Sequence, residues 1–258
     1  MVTIAGRFNG PPHSGNGGYV CGVLAQRFLA EFGATPGAKV EVTLRKPPPL
    51  EKPLTLRQPP ETEVLRLLDG ATVIAEAEFV EATGVPVEPV PSEEAAAASK
   101  DYAGFAGHPF PTCFVCGPEH PTGLHIFAGP VPGRRDVVAA LWTPAPDTVG
   151  PEFVWAALDC PGGWSAGDLA GRPVVLGRMS VEMLHETGTD SDTAPAPLIA
   201  GEGHVVLGKH LRTEGRKTFT ASSLYGPSGD LIASAEAVWI AVDPAGIQPV
   251  EGRSGSTS

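Results

Sequence analysis

The chain is short of several residue types at once. It has 4 cysteines, 3 methionines and 3 tyrosines in 258 residues, and 18 lysines and arginines against 29 aspartates and glutamates. Cys21, Cys113, Cys116 and Cys160 are too few and too unevenly spaced for the disulfide framework of a small secreted domain. No apolar run is long enough to span a bilayer, and the N-terminus has neither the basic start nor the apolar core of a signal peptide. A cytoplasmic protein without a membrane partner is therefore expected. The formal charge of −11 argues against a sequence-independent grip on nucleic acid, because phosphates call for Lys and Arg. A local basic patch facing an anionic ligand stays compatible with it. With 42% hydrophobic and 18% charged residues the composition is that of a globular protein, holding one large domain or two of ordinary size.

Glycine (32) and proline (28) are plentiful, so many turns are expected. Val2 to Phe8 reads as a short strand and Gly10 to Gly18 as a loop whose glycines permit close approach of a backbone or a ligand. His13, within that loop, suits either a ligand contact or plain exposure. Tyr19 to Phe32 has apolar residues at helical spacing and Gly33 stops it. Strands are expected at Lys39–Arg45, Pro53–Gln58, Glu61–Leu68 and Thr72–Glu81. Thr83 to Lys100, with its prolines and alanines, reads as a connector without a core of its own. Strands at Leu124–Phe127 and Val137–Trp142 follow, then a helix from Pro151 to about Ala170. The last strands are placed near Val174–His185, Leu198–Arg212, Lys217–Tyr225 and Leu231–Val242, before a polar tail.

The helix around Gly150–Trp164 organises the rest. Pro151 suits a first helical turn, Glu152 suits the positive end of the dipole, and Phe153 to Leu158 make the helix apolar nearly all round. Into this run the sequence sets one carboxylate, Asp159. A buried acid is costly unless it is paired, hydrogen-bonded or kept protonated. The plain reading is a cap or an internal polar contact; the sharper one is a catalytic carboxylate with a shifted pKa.

The two halves repeat each other. Val73-Ile-Ala-Glu-Ala-Glu78 matches Leu231-Ile-Ala-Ser-Ala-Glu236, and each half runs strand, long helix, then about four antiparallel strands, an internal duplication by pattern. Each curved sheet would wrap its helix, because a helix apolar on most sides must be covered.

Asn16-Gly-Gly-Tyr-Val20, Cys113-Phe-Val-Cys-Gly117 leading to Gly123-Leu124, and Ala157-Leu-Asp159, set in this duplicated pattern, resemble the double-hotdog proteins of the acyl-CoA thioesterase superfamily. The resemblance covers Ile4 to about Val242. It implies an α+β fold of two hotdog units (1–85 and 106–250), a connector (86–105) and a tail (251–258). Such thioesterases commonly carry His-Gly-Gly at the start of the central helix and an acid further along it. Here Asn16-Gly17-Gly18 and Gly150-Pro151-Glu152 fall at the first position, and Ala25 and Asp159 at the second. The resemblance thus implies one working site, Asn16, Gly17, Gly18 and Asp159, and one vestigial site. Gly17 and Gly18 would hold the oxyanion. His13, Tyr19, Trp155 and Gly163 are expected to bind substrate. Asn16 departs from the family histidine, and an amide cannot exchange a proton near neutral pH. A helper hydroxyl is usual; Ser165 and Ser180 are near in sequence, and Gly177 stands where a strand hydroxyl would be.

The implied function is hydrolysis of an acyl-CoA or acyl-carrier thioester, with Asp159 as general base or nucleophile and no cofactor. The alternative is a non-catalytic acyl-thioester binder of the same fold. A hydratase would want an Asp–His pair, which is not found near Asp159. The two units would form a pseudo-dimer within the chain, and assembly into a homo-oligomer is left open. Cys113 and Cys116, near His108, His120 and His125, allow packed thiols, zinc or redox chemistry. Packing is favoured, no metal ligand set is assigned, and less than stoichiometric zinc is expected. Cys21 and Cys160 read as core residues of their helices.

Overall fold

The computed structural model describes residues 1–33, 38–81, 84–167, 169, 171–184 and 198–243. Its strands are β1 (Val2–Thr3), β2 (Ala38–Leu44), β3 (Pro53–Arg57), β4 (Leu65–Asp69), β5 (Thr72–Glu81), β6 (Gly129–Pro130), β7 (Val137–Trp142), β8 (Val174–Met183), β9 (His204–Glu214), β10 (Lys217–Tyr225) and β11 (Leu231–Ala241). The α-helices are α1 (Gly17–Phe32), α2 (Ser92–Ala98), α3 (Gly104–Gly107) and α4 (Pro151–Ser165). No helix among the described residues is long and apolar enough to cross a membrane. The tail 251–258 and His185 lie outside the described residues.

All strands join one antiparallel sheet in the order β1-β3-β4-β5-β2-β8-β11-β10-β9-β7-β6. From the β2–β8 seam outward the two sides carry equivalent strands in the same order: β5, β4, β3, β1 on one side and β11, β10, β9, β7 on the other. The matching segments at 73–78 and 231–236 fall on β5 and β11, which are equivalent strands. The seam pairs Val40 with Val181 and Val42 with Met179, all buried, so the halves share a continuous sheet and core. The core residue Phe28 of α1 meets Phe79 of β5 with ring centroids 4.7 Å apart. Burying such a ring contributes about 1.5–3 kcal/mol.

Local chemistry explains the helix ends. The Asn16 side chain caps α1 by accepting the Tyr19 N–H at 2.9 Å, and Gly33, with φ +80°, ends it. Pro151 occupies the first turn of α4, where its missing N–H is no loss. The helix stops at Ser165, short of the expected Ala170, after a tail rich in small residues and interrupted by Pro161.

α1 and α4 pack side by side at very close range, and glycine makes this approach possible. A Cβ on Gly18 would run into the Asp159 side chain and come within 2.6 Å of the Trp155 carbonyl oxygen; one on Gly22 would lie 2.8 Å from Glu152 Cα. Gly18 and Gly22 are one helical turn apart, so the same face of α1 lacks side chains twice where α4 crosses it.

Three expectations are corrected. Val2–Phe8 is a two-residue strand followed by a 3-10 turn at Gly6–Phe8. Leu124–Phe127 is not a strand; the chain turns through a positive φ of 53° at His125. The stretch before residue 100 does have a core. Val87, Val90, Ala95 and Ala98 are buried against Val137, Ala139, Val205, Leu207, Ala221 and Tyr225. Along β7 and β9 alternate residues, Val138, Ala140 and Val206, face the main core instead, so these strands are apolar on both faces and need a cover on each.

Candidate active site

The start of α1 and the middle of α4 meet at Asp159, which is 2% exposed. Its Oδ2 accepts the Gly18 N–H at 2.9 Å and the Asn16 side-chain amide at 3.0 Å. Its Oδ1 is buried with no hydrogen-bond partner among the described residues. Burial pushes the Asp159 pKa up to about 7, against the Gly18 and Asn16 donors that hold it down. A carboxyl poised there can serve as base or acid near neutral pH.

Asp159 lines a cavity of about 700 Å³. The Gly10–Gly17 loop and the Lys46–Pro48 turn form one wall, tied by the Gly15 N–H donating to the Pro48 carbonyl at 2.8 Å. His108, Phe110, Cys113, Cys116, Cys160 and Trp164 also line the cavity, as do the apolar Leu176, Trp239 and Ile240. Lys46 and Arg216 also line it.

The expected site residues divide. Asn16, Gly17, Asp159, His13 and Gly163 line the cavity; Gly18, Tyr19 and Trp155 do not. Gly18 was expected to offer a bare N–H to an oxyanion, but that N–H already serves Asp159. The Tyr19 N–H is taken by the Asn16 side-chain oxygen, and its ring stacks on Phe8 at 3.9 Å. Burial and the nearby Glu152 carboxylate raise the Tyr19 phenol to about 12. Trp155 is buried between the helices. Of the first helical residues of α1, Gly17 is the one that lines the cavity. Neither Ser165 nor Ser180 bonds to Asp159; Ser165 donates to the Gly162 carbonyl at 2.6 Å. The side-chain donor to Asp159 is the Asn16 amide, reaching across from the other half of the chain.

No protein-family model matches the chain, and no curated protein matches it by sequence. Solved structures do match over nearly its whole length. Acyl-CoA thioesterase II TesB2 from Mycobacterium marinum is similar at 13% identity and a TM-score of 0.52, over 89% of this chain and 91% of that one. A conserved protein of unknown function with a hot dog fold, from Alicyclobacillus acidocaldarius, gives 10% identity and 0.54, over 93% and 91%. The dehydratase domain of PpsC from Mycobacterium tuberculosis, in complex with C12:1-CoA, gives 14% and 0.54, over 90% and 86%. The chain is a double hotdog.

The second hotdog unit offers no equal of this arrangement. At the start of α4, Pro151 has no N–H, Glu152 accepts the Gln26 side-chain amide at 2.6 Å, and Ala25 stands in the acid position. Sequence reading missed the convergence of cysteines beside Asp159. Cys113, Cys116 and Cys160 place their sulfurs within 4.8 Å of one another, and the Asn16 amide reaches Cys113 Sγ at 3.8 Å and Cys160 Sγ at 4.0 Å. Hydrogen bonds from the Cys116 and Cys160 thiols hold the Cys113 thiol well below its usual range, while burial raises Cys116. Cys160, at the following position of α4, is separated from Cys113 by 47 residues of sequence, and no local spacing announces it.

Proposed function

We propose that this double hotdog hydrolyses an acyl thioester carried on coenzyme A or an acyl-carrier protein, with Asp159 as the group that activates water or attacks the carbonyl. The observation that carries this reading is Asp159 Oδ1, an unpartnered carboxylate oxygen on a cavity-lining residue whose other oxygen is anchored twice. A base needs a lone pair that nothing else occupies, on a side chain that cannot swing away. In the water route Oδ1 takes a proton as the water oxygen bonds to the carbonyl carbon. The C–S bond then breaks, and the leaving thiolate takes up a proton. The Gly17 N–H, at the positive end of α1, supports charge on the thioester oxygen. Among the lining residues, Leu176, Trp239 and Ile240 suit an acyl chain, and Lys46 and Arg216 suit phosphates. The fold neighbours named for acyl-CoA thioesterase and for C12:1-CoA support a substrate of this class.

A second reading, a thioester binder without turnover, is favoured by the commitment of the Gly18 N–H to Asp159, which removes one of two expected oxyanion donors. No histidine among the described residues bonds to Asp159, which weighs against a hydratase. The deciding experiment offers acyl-CoAs with short, long and aromatic acyl groups and measures free thiol release. Turnover that disappears in Asp159→Asn supports the hydrolase. Tight binding with no turnover of any substrate supports the binder.

A further inference from the structure

We propose that Cys113, Cys116 and Cys160 bind a thiophilic divalent cation, zinc above all, as a three-thiolate site in the wall of the cavity. The expectation of little zinc rested on two cysteines, with His108, His120 and His125 nearby at spacings that fit no strong finger pattern. Folding adds a third thiol from α4, and this changes the chemistry from a pair to a ligand set.

Distances fit first. A zinc–thiolate bond of about 2.3 Å in tetrahedral geometry places neighbouring sulfurs about 3.8 Å apart. Cys113 Sγ and Cys160 Sγ are 3.9 Å apart, and Cys116 Sγ completes a triangle with no side above 4.8 Å. All three are free cysteines, and Cys113 Sγ and Cys160 Sγ are too far apart for an S–S bond.

The surroundings fit next. Among the described residues, side-chain N–H groups of Asn16 and His108 reach these sulfurs. The Asn16 amide nitrogen lies 3.8 Å from Cys113 Sγ and 4.0 Å from Cys160 Sγ, and His108 Nε2 lies 3.2 Å from Cys116 Sγ. Amide and imidazole N–H groups beside metal-bound sulfurs orient them, and a buried thiolate needs a cation to balance it. The turn is also fixed. The Gly117 N–H donates to the Cys113 carbonyl at 2.8 Å, and a Cβ on Gly117 would meet the Pro111 carbonyl oxygen at 2.5 Å.

His108 completes the surroundings as a positioning residue. Its Nδ1 accepts the Phe110 N–H at 2.8 Å, so the proton of the neutral ring sits on Nε2, directed at Cys116 Sγ 3.2 Å away. It therefore holds the sulfur and leaves the metal's fourth position to a ligand from the cavity, which all three cysteines line. His120 and His125 take no part, since their Nε2 atoms lie 2.8 Å from the Arg7 and His120 carbonyl oxygens.

The test is elemental analysis of the full chain, purified under reducing conditions with zinc in the growth medium. The expected content is about one zinc per chain, falling at least tenfold in Cys113→Ser and in Cys160→Ser. Cys21→Ala, a thiol outside the cluster, keeps the metal, and His108→Ala keeps it with weaker affinity. A second measurement does not depend on how the variants fold. Chelator-stripped wild type titrated with cobalt(II) alone should develop a thiolate-to-metal charge-transfer band that saturates at about one equivalent. Wild type that carries under about a tenth of an equivalent of zinc and gives no cobalt band overturns the site. Full retention of zinc in a well-folded Cys160→Ser overturns the three-thiol assignment. A thiol titration of denatured, chelator-treated protein that finds two of the four cysteines oxidised points to a disulfide and also overturns it.

Discussion

Asn16 and Asp159, 143 residues apart in sequence, share a buried hydrogen bond of 3.0 Å from the amide nitrogen to Oδ2. The same asparagine caps α1 through its other side-chain atom. These two jobs can be separated. Asn16→Asp keeps an acceptor for the Tyr19 N–H but turns an oxygen toward the Asp159 carboxylate in place of a donor. The expected result is an intact helix by circular dichroism and a fall in kcat/KM of at least about tenfold, since a hydrogen bond to a charged group is worth about 1.5–3 kcal/mol. Asn16→Ala should lose this bond and the cap together, lowering stability by a further ~1 kcal/mol in urea unfolding.

Asp159→Asn keeps the size of the side chain and an oxygen to accept the Gly18 N–H. The protein should fold, and kcat should fall by at least about a hundredfold if Oδ1 takes the proton of the attacking water. Equal turnover in variant and parent would remove Asp159 from the mechanism.

Gly18 carries a different prediction from the one its place in the sequence suggests. It is not among the residues with positive φ, so a side chain there meets no torsional penalty. It meets α4 instead, at the Asp159 side chain and the Trp155 carbonyl oxygen. Backbone cannot step aside as the end of a long side chain can. Gly18→Ala should therefore lower stability by about 1–3 kcal/mol or more, read from the urea midpoint, and activity should fall with it. Gly22→Ala should do the same through Glu152 Cα while leaving the Asp159 hydrogen bonds in place.

The same glycines show what was legible in the sequence. Thr72–Glu81, Val137–Trp142 and Lys217–Tyr225 could be read to the residue, because each strand is bounded by a turn. The helix α1 and the duplication were legible from periodicity and from the 73–78 and 231–236 match. Asp159 stood out because one acid in an apolar helix is costly. Side-chain absence is harder to read. Gly18 and Gly22 serve helix contact, yet a glycine beside a helix start looks the same when it serves an oxyanion. Cys160 gave no signal either, since its partners arrive only when the loop around Cys113 folds onto α4. That loop is placed by Asn9, whose carbonyl accepts the Phe114 N–H at 2.7 Å and whose amide donates to the Thr112 carbonyl at 2.9 Å. No feature of residues 9 and 114 taken separately announces this link.

The connector yields the last prediction, because its composition and its structure point in opposite directions. Prolines and alanines suggest a tether, and a tether tolerates substitution. The structure instead buries Val87 on the outer face of β9 and β10, with its N–H donating to Ser223 Oγ at 2.8 Å and its carbonyl accepting the Tyr225 hydroxyl at 2.7 Å. The apolar surface beneath it, Leu207 and Ala221 included, would otherwise face water. Val87→Asp should thus cost several kcal/mol, on the order of burying an unpaired charge or exposing the strands it covers. Tyr225→Phe, which removes one buried hydrogen bond and keeps the ring, should cost about 1 kcal/mol. Both should leave the cavity chemistry unchanged at temperatures where the variants stay folded, since neither residue lines it. The check is urea unfolding beside thioester hydrolysis. Unchanged unfolding midpoints in both variants would show that the segment is a tether after all and that the outer face of β7, β9 and β10 is stable uncovered.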